Sequence, residues 1–188
     1  MQDTRDDPAA VLQADEAGVS PETARGLWQG PGLWLPLAII VVDQVTKAMV
    51  RLWLPLHASR TVVAGFLDFT HVQNTGAAFG LLNTVDFPFK STVIALVAAA
   101  ALAGIAVYAA RLSPHQRVAR IGLALVIAGA AGNLIDRLTI GPVIDFVDFY
   151  WGSFHFWAFN VADSAITAGV GLMMLDMLGL GSHAPKTA

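Results

Sequence analysis

Four long apolar runs constrain the fold of this 188-residue chain more than any other feature. A helix needs roughly 20 apolar residues to cross about 30 Å of hydrocarbon. Backbone groups in lipid must find their hydrogen bonds within the protein, so runs this rich in Ala, Leu and Gly predict helices. We therefore predict an all-α membrane protein with four transmembrane helices, at about Leu33–Leu54, Phe87–Ala110, Val118–Leu138 and Trp157–Leu180.

Composition narrows the function classes. The chain is 55% hydrophobic and 13% charged, whereas an average soluble domain has about 25% charged residues. The absence of cysteine excludes disulfides, a thiol nucleophile and thiolate metal ligands. The five histidines are scattered without the spacing of a zinc protease, and no basic face suggests nucleic acid as a partner. We expect neither a metal nor a cofactor.

The regions outside the apolar runs predict the domain organisation. Residues 1–30 are polar and acidic, and they predict a disordered cytoplasmic tail. Residues 31–181 should form one four-helix membrane domain, followed by a short tail at 182–188. Within that domain, residues 57–83 include a stretch of β-branched and aromatic residues with partial alternation. This segment predicts a small β-sheet on the outer (periplasmic) membrane surface.

Charge in the connecting segments predicts the orientation. The link between the second and third helices carries Arg111, Arg117 and Arg120 and no acid. By the positive-inside rule this link is cytoplasmic, which also places both termini in the cytoplasm. Four acids would then lie near the outer face: Asp136, Asp145, Asp148 and Asp163.

Asp145 and Asp163 are the strongest candidates for chemistry. An ionisable side chain at membrane depth is costly, so it marks a functional site or has a partner. Two acids brought together cannot easily both ionise, and a pair sharing one proton is what an aspartyl hydrolase needs. Asp145 has no basic residue within seven positions, but Asp148 shares that setting, so the residues alone do not separate them. For Asp163, which follows Asn160 by one turn at a helix start, the alternative is an acid that only interacts with the helix dipole.

Other polar residues fall on helix faces. Asp43 and Lys47 are four apart on the first helix. This spacing predicts either a buried ion pair between them or a direct contact with substrate. Asn133, Asp136 and Arg137 form one polar stripe that should face the bundle interior. The arginine next to Asp136 should keep that carboxylate charged, as a structural partner.

A serine hydrolase is a weaker hypothesis. Ser164, His155 and an aspartate could in principle form a triad, but the sequence contains nothing that resembles a nucleophile elbow.

Five ordered stretches resemble the lipoprotein signal peptidase (signal peptidase II) family of membrane aspartyl proteases. They span about residues 33–180 and comprise Asp43-Gln44-Val45-Thr46-Lys47, Asn74-Thr75-Gly76-Ala77-Ala78-Phe79, Gly132-Asn133-Leu134-Ile135-Asp136-Arg137, Val143-Ile144-Asp145-Phe146 and Phe159-Asn160-Val161-Ala162-Asp163-Ser164. The resemblance implies that Asp145 and Asp163, and not Asp148, are the catalytic pair. It implies dyad support or substrate contact for Asp43, Lys47, Asn74, Asn133, Asp136, Arg137 and Asn160.

The resemblance also implies a substrate and a location. The family removes signal peptides from diacylglyceryl-modified prolipoproteins, cutting before the lipidated cysteine, and is inhibited by the cyclic peptide globomycin. The resemblance therefore implies membrane lipids as partners, a monomeric state and a location in the bacterial inner membrane. A proton-coupled transporter and a non-catalytic assembly factor are the alternatives, although the inverted repeats common in such carriers are not visible in the sequence.

Overall fold

The computed structural model describes residues 34–76, 85, 87–112 and 116–178. Both predicted tails, residues 1–30 and 182–188, and residues 77–83 of the predicted β-rich segment lie outside the described residues. The described part contains four helices and four strands. The helices are α1 (Trp34–Trp53), α2 (Lys90–Arg111), α3 (Arg117–Thr139) and α4 (Val161–Met177); the strands are β1 (Ser59–Val63), β2 (Leu67–Asn74), β3 (Val143–Trp151) and β4 (Phe154–His155).

The membrane helices agree with the prediction in part. Two of the described helices are long and apolar enough to cross a membrane, with spans at Lys90–Ala109 and Arg117–Thr139. Helix α1 has 20 residues but carries Asp43, Lys47 and Arg51, and α4 has only 17 residues. The presence of four transmembrane helices therefore stays a prediction.

The β-sheet is larger than the sequence predicted. Its four strands are antiparallel in the order β1-β2-β3-β4. Strands β1 and β2 lie within the predicted β-rich segment, but β3 falls in residues that we had expected only to link two helices. Its β-branched and aromatic residues pair along β2 from Leu67 to Asn74. The predicted small sheet is therefore present, and one of its strands carries Asp145.

Helix α4 begins four residues later than predicted, at Val161 instead of Trp157. Asn160 is its N-cap, and the side chains and backbone N–H groups of Asn160 and Asp163 form a capping box. Phe159 just before the cap is held by the sheet, because its N–H donates to the carbonyl of Val147 at 3.1 Å. The sheet and the cap together fix where α4 starts.

Small residues bring α3 and α4 close together. A Cβ added to Gly122 would lie 2.7 Å from the backbone oxygen of Gly169, and one added to Gly129 would clash with the backbone oxygen of Ala162. Small residues at a helix interface let two backbones approach closely. This approach places the last turns of α3 beside the first turn of α4, where the candidate residues lie.

Candidate active site

Asp145 lies on β3, opposite Val72 of β2, and is only 3% exposed. One carboxylate oxygen accepts from the side-chain amide of Asn160 at 2.7 Å, and the other accepts from that of Asn74 at 3.1 Å. Burial, and then the nearby carboxylate of Asp163, raise the pKa of Asp145 to about 7, although the two amide donors oppose the shift. Asp145 can therefore exchange a proton near neutral pH.

Asp163 is the third residue of α4. One of its oxygens accepts from the side-chain amide of Asn133 at 2.8 Å, and the other accepts from the backbone N–H of Asn160 at 3.3 Å. The second contact belongs to the helix cap, as the dipole interpretation expected. The first contact reaches across to α3, so Asp163 is more than a cap.

Asn160 connects the two candidate acids. Its amide nitrogen donates to Asp145 at 2.7 Å and lies 3.2 Å from both the side-chain oxygen of Asn133 and the carbonyl oxygen of Ile144. Its side-chain oxygen accepts the backbone N–H of Asp163 at 2.9 Å. Asp145 and Asp163 are thus joined through two asparagine side chains, Asn160 at the N-cap of α4 and Asn133 of α3.

Arg137 and Asn74 hold the end of β2 against α3. The guanidinium of Arg137 donates to the carbonyl of Gly76 at 3.0 Å and to the carbonyl of Asn133 at 3.2 Å. The side-chain oxygen of Asn74 accepts the N–H of Gly76 at 3.0 Å, which leaves its amide nitrogen facing Asp145. Arg137 thereby fixes the loop that orients one of the donors to Asp145.

The predicted partner of Asp136 was wrong. Asp136 forms an ion pair with Lys47 of α1 at 2.8 Å, while the neighbouring Arg137 points to Gly76. Adjacent residues on a helix do not face each other, so the sequence neighbour was not the spatial neighbour. Lys47 also pairs with Asp43 at 2.8 Å, which is the buried ion pair that was one of the two interpretations of these residues.

Gln44 completes this group, which we call the ion cluster: Asp43, Gln44, Lys47 and Asp136. Its amide nitrogen lies 3.1 Å from oxygens of both Asp43 and Asp136. The position of Gln44 beside Asp43 in the sequence gave no indication of a partner on α3. The cluster also supports the backbone at the site, because Asp43 accepts the N–H of Ala162 at 2.9 Å.

Asp148 has different surroundings from Asp145. Its carboxylate lies 2.8 Å from the Nδ1 of His155, and it is opposite Asp68 of β2. The hydroxyl of Ser164 donates to the backbone oxygen of Asn160 at 2.9 Å, in the first turn of its own helix. Ser164 and His155 are therefore engaged with different partners, and no Ser-His-Asp triad is assembled among the described residues.

The side chains at the site that could act as metal ligands are carboxylates and carboxamides. Within the described ranges, no group of three or more His, Asp or Glu side chains has an arrangement that could hold a metal ion. What the geometry provides is a pair of acids, the buried Asp145 and the half-buried Asp163, each with hydrogen bonds from an asparagine amide to one or both oxygens. Such a pair can activate water and donate a proton.

The fold that holds this pair of acids matches that of a class of membrane enzymes. Two solved structures described as bacterial membrane enzymes are similar to the chain. The first has a TM-score of 0.72 at 29% identity, covering 83% of this chain and 92% of the other. The second has a TM-score of 0.68 at 26% identity, covering 78% and 91%.

The sequence comparisons give the family. The model of the signal peptidase (SPase) II family matches residues 35–179. A lipoprotein signal peptidase of Geobacter metallireducens is 45% identical over 139 residues, which are 74% of this chain and 85% of that protein. One from Symbiobacterium thermophilum is 42% identical over 144 residues, 77% of this chain and 91% of that protein. The chain belongs to the signal peptidase II family, a family of proteases, and is a hydrolase.

Proposed function

We propose that the chain is a membrane aspartyl endopeptidase that removes signal peptides from diacylglyceryl-modified prolipoproteins, cutting before the lipidated cysteine. The observation that carries the proposal is the pair of acids, the buried Asp145 and the half-buried Asp163, joined through Asn160 and Asn133. The family match over residues 35–179 supports the substrate class. The raised pKa of Asp145, about 7, supports a proton shared near neutral pH.

The chemistry follows from that shared proton. The ionised member of the pair takes a proton from a water molecule, whose oxygen attacks the scissile carbonyl carbon. The protonated member donates its proton to the carbonyl oxygen as it becomes an oxyanion. As the tetrahedral intermediate collapses and the C–N bond breaks, the carboxyl that took a proton from water gives it to the leaving amine, and the other carboxylate takes back the hydroxyl proton. No covalent enzyme intermediate forms, and the two carboxyls titrate as one coupled unit.

The polar residues around the pair would support it or contact the substrate. Asn74 and Asn160 each donate to Asp145, and Arg137 holds the loop at Gly76 that orients Asn74. The lipid chains of the substrate would lie in the bilayer against exposed apolar side chains. On α2 these include Leu96 and Val97, both well exposed.

We place the enzyme in the bacterial inner membrane, as a monomer with both termini cytoplasmic and with the acids and the sheet near the periplasmic face. Helix α3 supports this orientation, because Arg117 and Arg120 lie in its first turn while Asn133 and Asp136 lie near its end. Its 23 residues would measure about 35 Å at 1.5 Å each. The basic end and the catalytic end would therefore be on opposite sides of the membrane.

The deciding experiment is cleavage of a lipidated prolipoprotein by purified full-length protein. Asp145→Asn and Asp163→Asn, made separately, should each lose more than about a hundredfold in kcat, because each removes one member of the proton-sharing pair. Asp148→Asn is the matched control, a carboxylate three positions along the same strand, and it should keep its activity. Substantial cleavage by either of the first two variants would overturn the dyad.

Two further measurements separate the alternatives. Cleavage that globomycin inhibits would exclude a transporter and a non-catalytic assembly factor, since neither breaks a peptide bond. Activity that persists in a chelator would exclude a metalloprotease. A wild-type protein that folds but leaves the lipidated substrate uncut would overturn the proposed function itself.

A further inference from the structure

We propose that Lys47 is a positioning residue for the catalytic pair, acting through the side chain of Asn133. The inference rests on the proposed function, and it concerns how one carboxylate of the pair receives its hydrogen bond. Among the described contacts Lys47 forms no hydrogen bond or ion pair with Asp163, on which its charge acts from a longer distance. It sets the direction in which the Asn133 carboxamide points.

All three N–H donors of the Lys47 ammonium have acceptors inside the protein. The residue is 2% exposed, and its nitrogen lies 2.8 Å from Asp43, 2.8 Å from Asp136 and 2.9 Å from the side-chain oxygen of Asn133. An ammonium has three N–H donors, and three acceptors are in place. Lys47 is therefore not available to a substrate, which argues against the direct contact that the sequence left open.

The oxygen of the Asn133 carboxamide faces hydrogen-bond donors, and its nitrogen faces a carboxylate. Its oxygen accepts from Lys47 and from the amide of Asn160 at 3.2 Å, while its nitrogen donates to Asp163 at 2.8 Å. A flipped carboxamide would set its NH2 against two donors and its oxygen against a carboxylate. Lys47 supplies the charge-assisted hydrogen bond that makes the observed orientation the favourable one.

The position of Lys47 keeps this orientation fixed. Asp43 and Asp136 hold the ammonium from α1 and α3, the same two helices that carry Lys47 and Asn133. A rigid donor at Asp163 favours the ionised form of that carboxylate. Lys47 thereby biases where the shared proton of the pair resides.

The test compares folded, full-length Lys47→Met with the wild type on a lipidated prolipoprotein. Loss of one hydrogen bond that favours the ionised acid should lower kcat by at least about tenfold, change KM by less than about twofold, and move the acid limb of the pH profile to higher pH. Thr46→Val is the neighbouring control, since within the described residues the Thr46 hydroxyl bonds only to carbonyls of its own helix. It should leave kcat, KM and the pH profile unchanged.

A second control separates positioning from stability. Gln44→Met removes a partner of both Asp43 and Asp136 but leaves the contact between Lys47 and Asn133. It should lower the thermal midpoint without moving the pH profile. If Gln44→Met shifts the profile as far as Lys47→Met does, loosening of the ion cluster alone explains the effect and the proposal fails.

A double variant addresses the folding of the lysine variant. Lys47→Met with Asp136→Asn removes one charge of each sign, and Asp43 keeps its bonds to Gln44 and Ala162. We expect it to fold with the same lowered kcat and shifted acid limb. Wild-type kcat and pH profile in either folded lysine variant, or failure of the double variant to fold, would overturn the positioning role. An inactive wild type would count against the proposed function instead.

Discussion

Asn160 donates its side-chain amide to Asp145 across 2.7 Å, and it does so from the N-cap of the helix that carries Asp163. One residue therefore both starts α4 and contacts the acid on β3. The oxygen of its side chain caps the helix, while the nitrogen faces the carboxylate. Any substitution at this position can be judged by which of these two functions it keeps.

Asn160→Ser should separate the two functions. Serine is a good N-cap but has no amide donor for Asp145, so stability should stay within about 1 kcal/mol of the wild type. The kcat should fall about tenfold or more, because one hydrogen bond to a charged group is lost. Asn160→Ala should show the same activity loss with a lower thermal midpoint. Wild-type kcat in the serine variant would contradict the role of the amide.

Asp145→Asn should change how stability depends on pH. The pKa of Asp145 is about 7 in the folded protein, against about 3.9 in an unfolded chain. The folded state therefore binds this proton more tightly, and its stability falls as pH rises from about 4 to about 7. The variant lacks this loss, so its stability relative to the wild type should rise by roughly 3 kcal/mol between pH 4.5 and pH 8.

The readout for Asp145→Asn is the difference between the two pH values, measured from thermal midpoints in detergent. The absolute midpoint is less informative, because the new amide presents a donor where the carboxylate accepted from Asn74 or Asn160. Asp148→Asn serves as the comparison on the same strand. Parallel pH curves for wild type and Asp145→Asn would contradict the raised pKa.

Gly129→Ala should damage both stability and activity. The added Cβ would clash with the backbone oxygen of Ala162 and lie 2.8 Å from a side-chain carbon of Ile166. Forcing α3 and α4 apart should cost about 1–3 kcal/mol and lengthen the hydrogen bond from Asn133 to Asp163. Gly171→Ala is the matched control in α4, where an added Cβ meets nothing within 4 Å. If both variants have the same midpoint and kcat, the close helix contact is not required.

Asp68→Asn should stabilise the sheet. Asp68 and Asp148 are opposite each other on β2 and β3, and each has a buried carboxylate oxygen with no hydrogen-bond partner among the described residues. Like charges directly opposite in a sheet are destabilising, and an unsatisfied buried acceptor adds to the cost. An amide at position 68 can donate to Asp148, so we expect a gain of about 1 kcal/mol in a thermal unfolding measurement with unchanged cleavage. A lower midpoint would show that the two carboxylates are not in conflict.

Much of the helical part was readable from the sequence. Long apolar runs are local signals, and α1 and α3 lie within one residue of their predicted boundaries at both ends. The polar stripe of Asn133 and Asp136 was also readable, because helix periodicity places residues three apart on one face. Strand β3 was missed, since its nine residues lie between two helical runs and pair with a strand about seventy positions earlier.

The choice between Asp145 and Asp148 required the tertiary structure. Their immediate neighbours in the sequence are alike, so the sequence pattern did not indicate which of them belongs to the acid pair. On a strand, side chains alternate between the two faces, and residues three apart therefore point in opposite directions. Asp145 contacts Asn74 and Asn160, whereas Asp148 contacts His155.

The sequence by itself determined that this is a helical membrane chain with polar residues at a few costly positions, because hydrophobic length and helix periodicity are properties of local segments. Only the tertiary structure decided the partners of those residues: Lys47 with Asp136 and Asn133, and Asn160 with Asp145. These contacts join elements far apart in the chain. Their geometry depends on the close packing of α3 on α4 and on the register of β2 with β3, which no local pattern specifies.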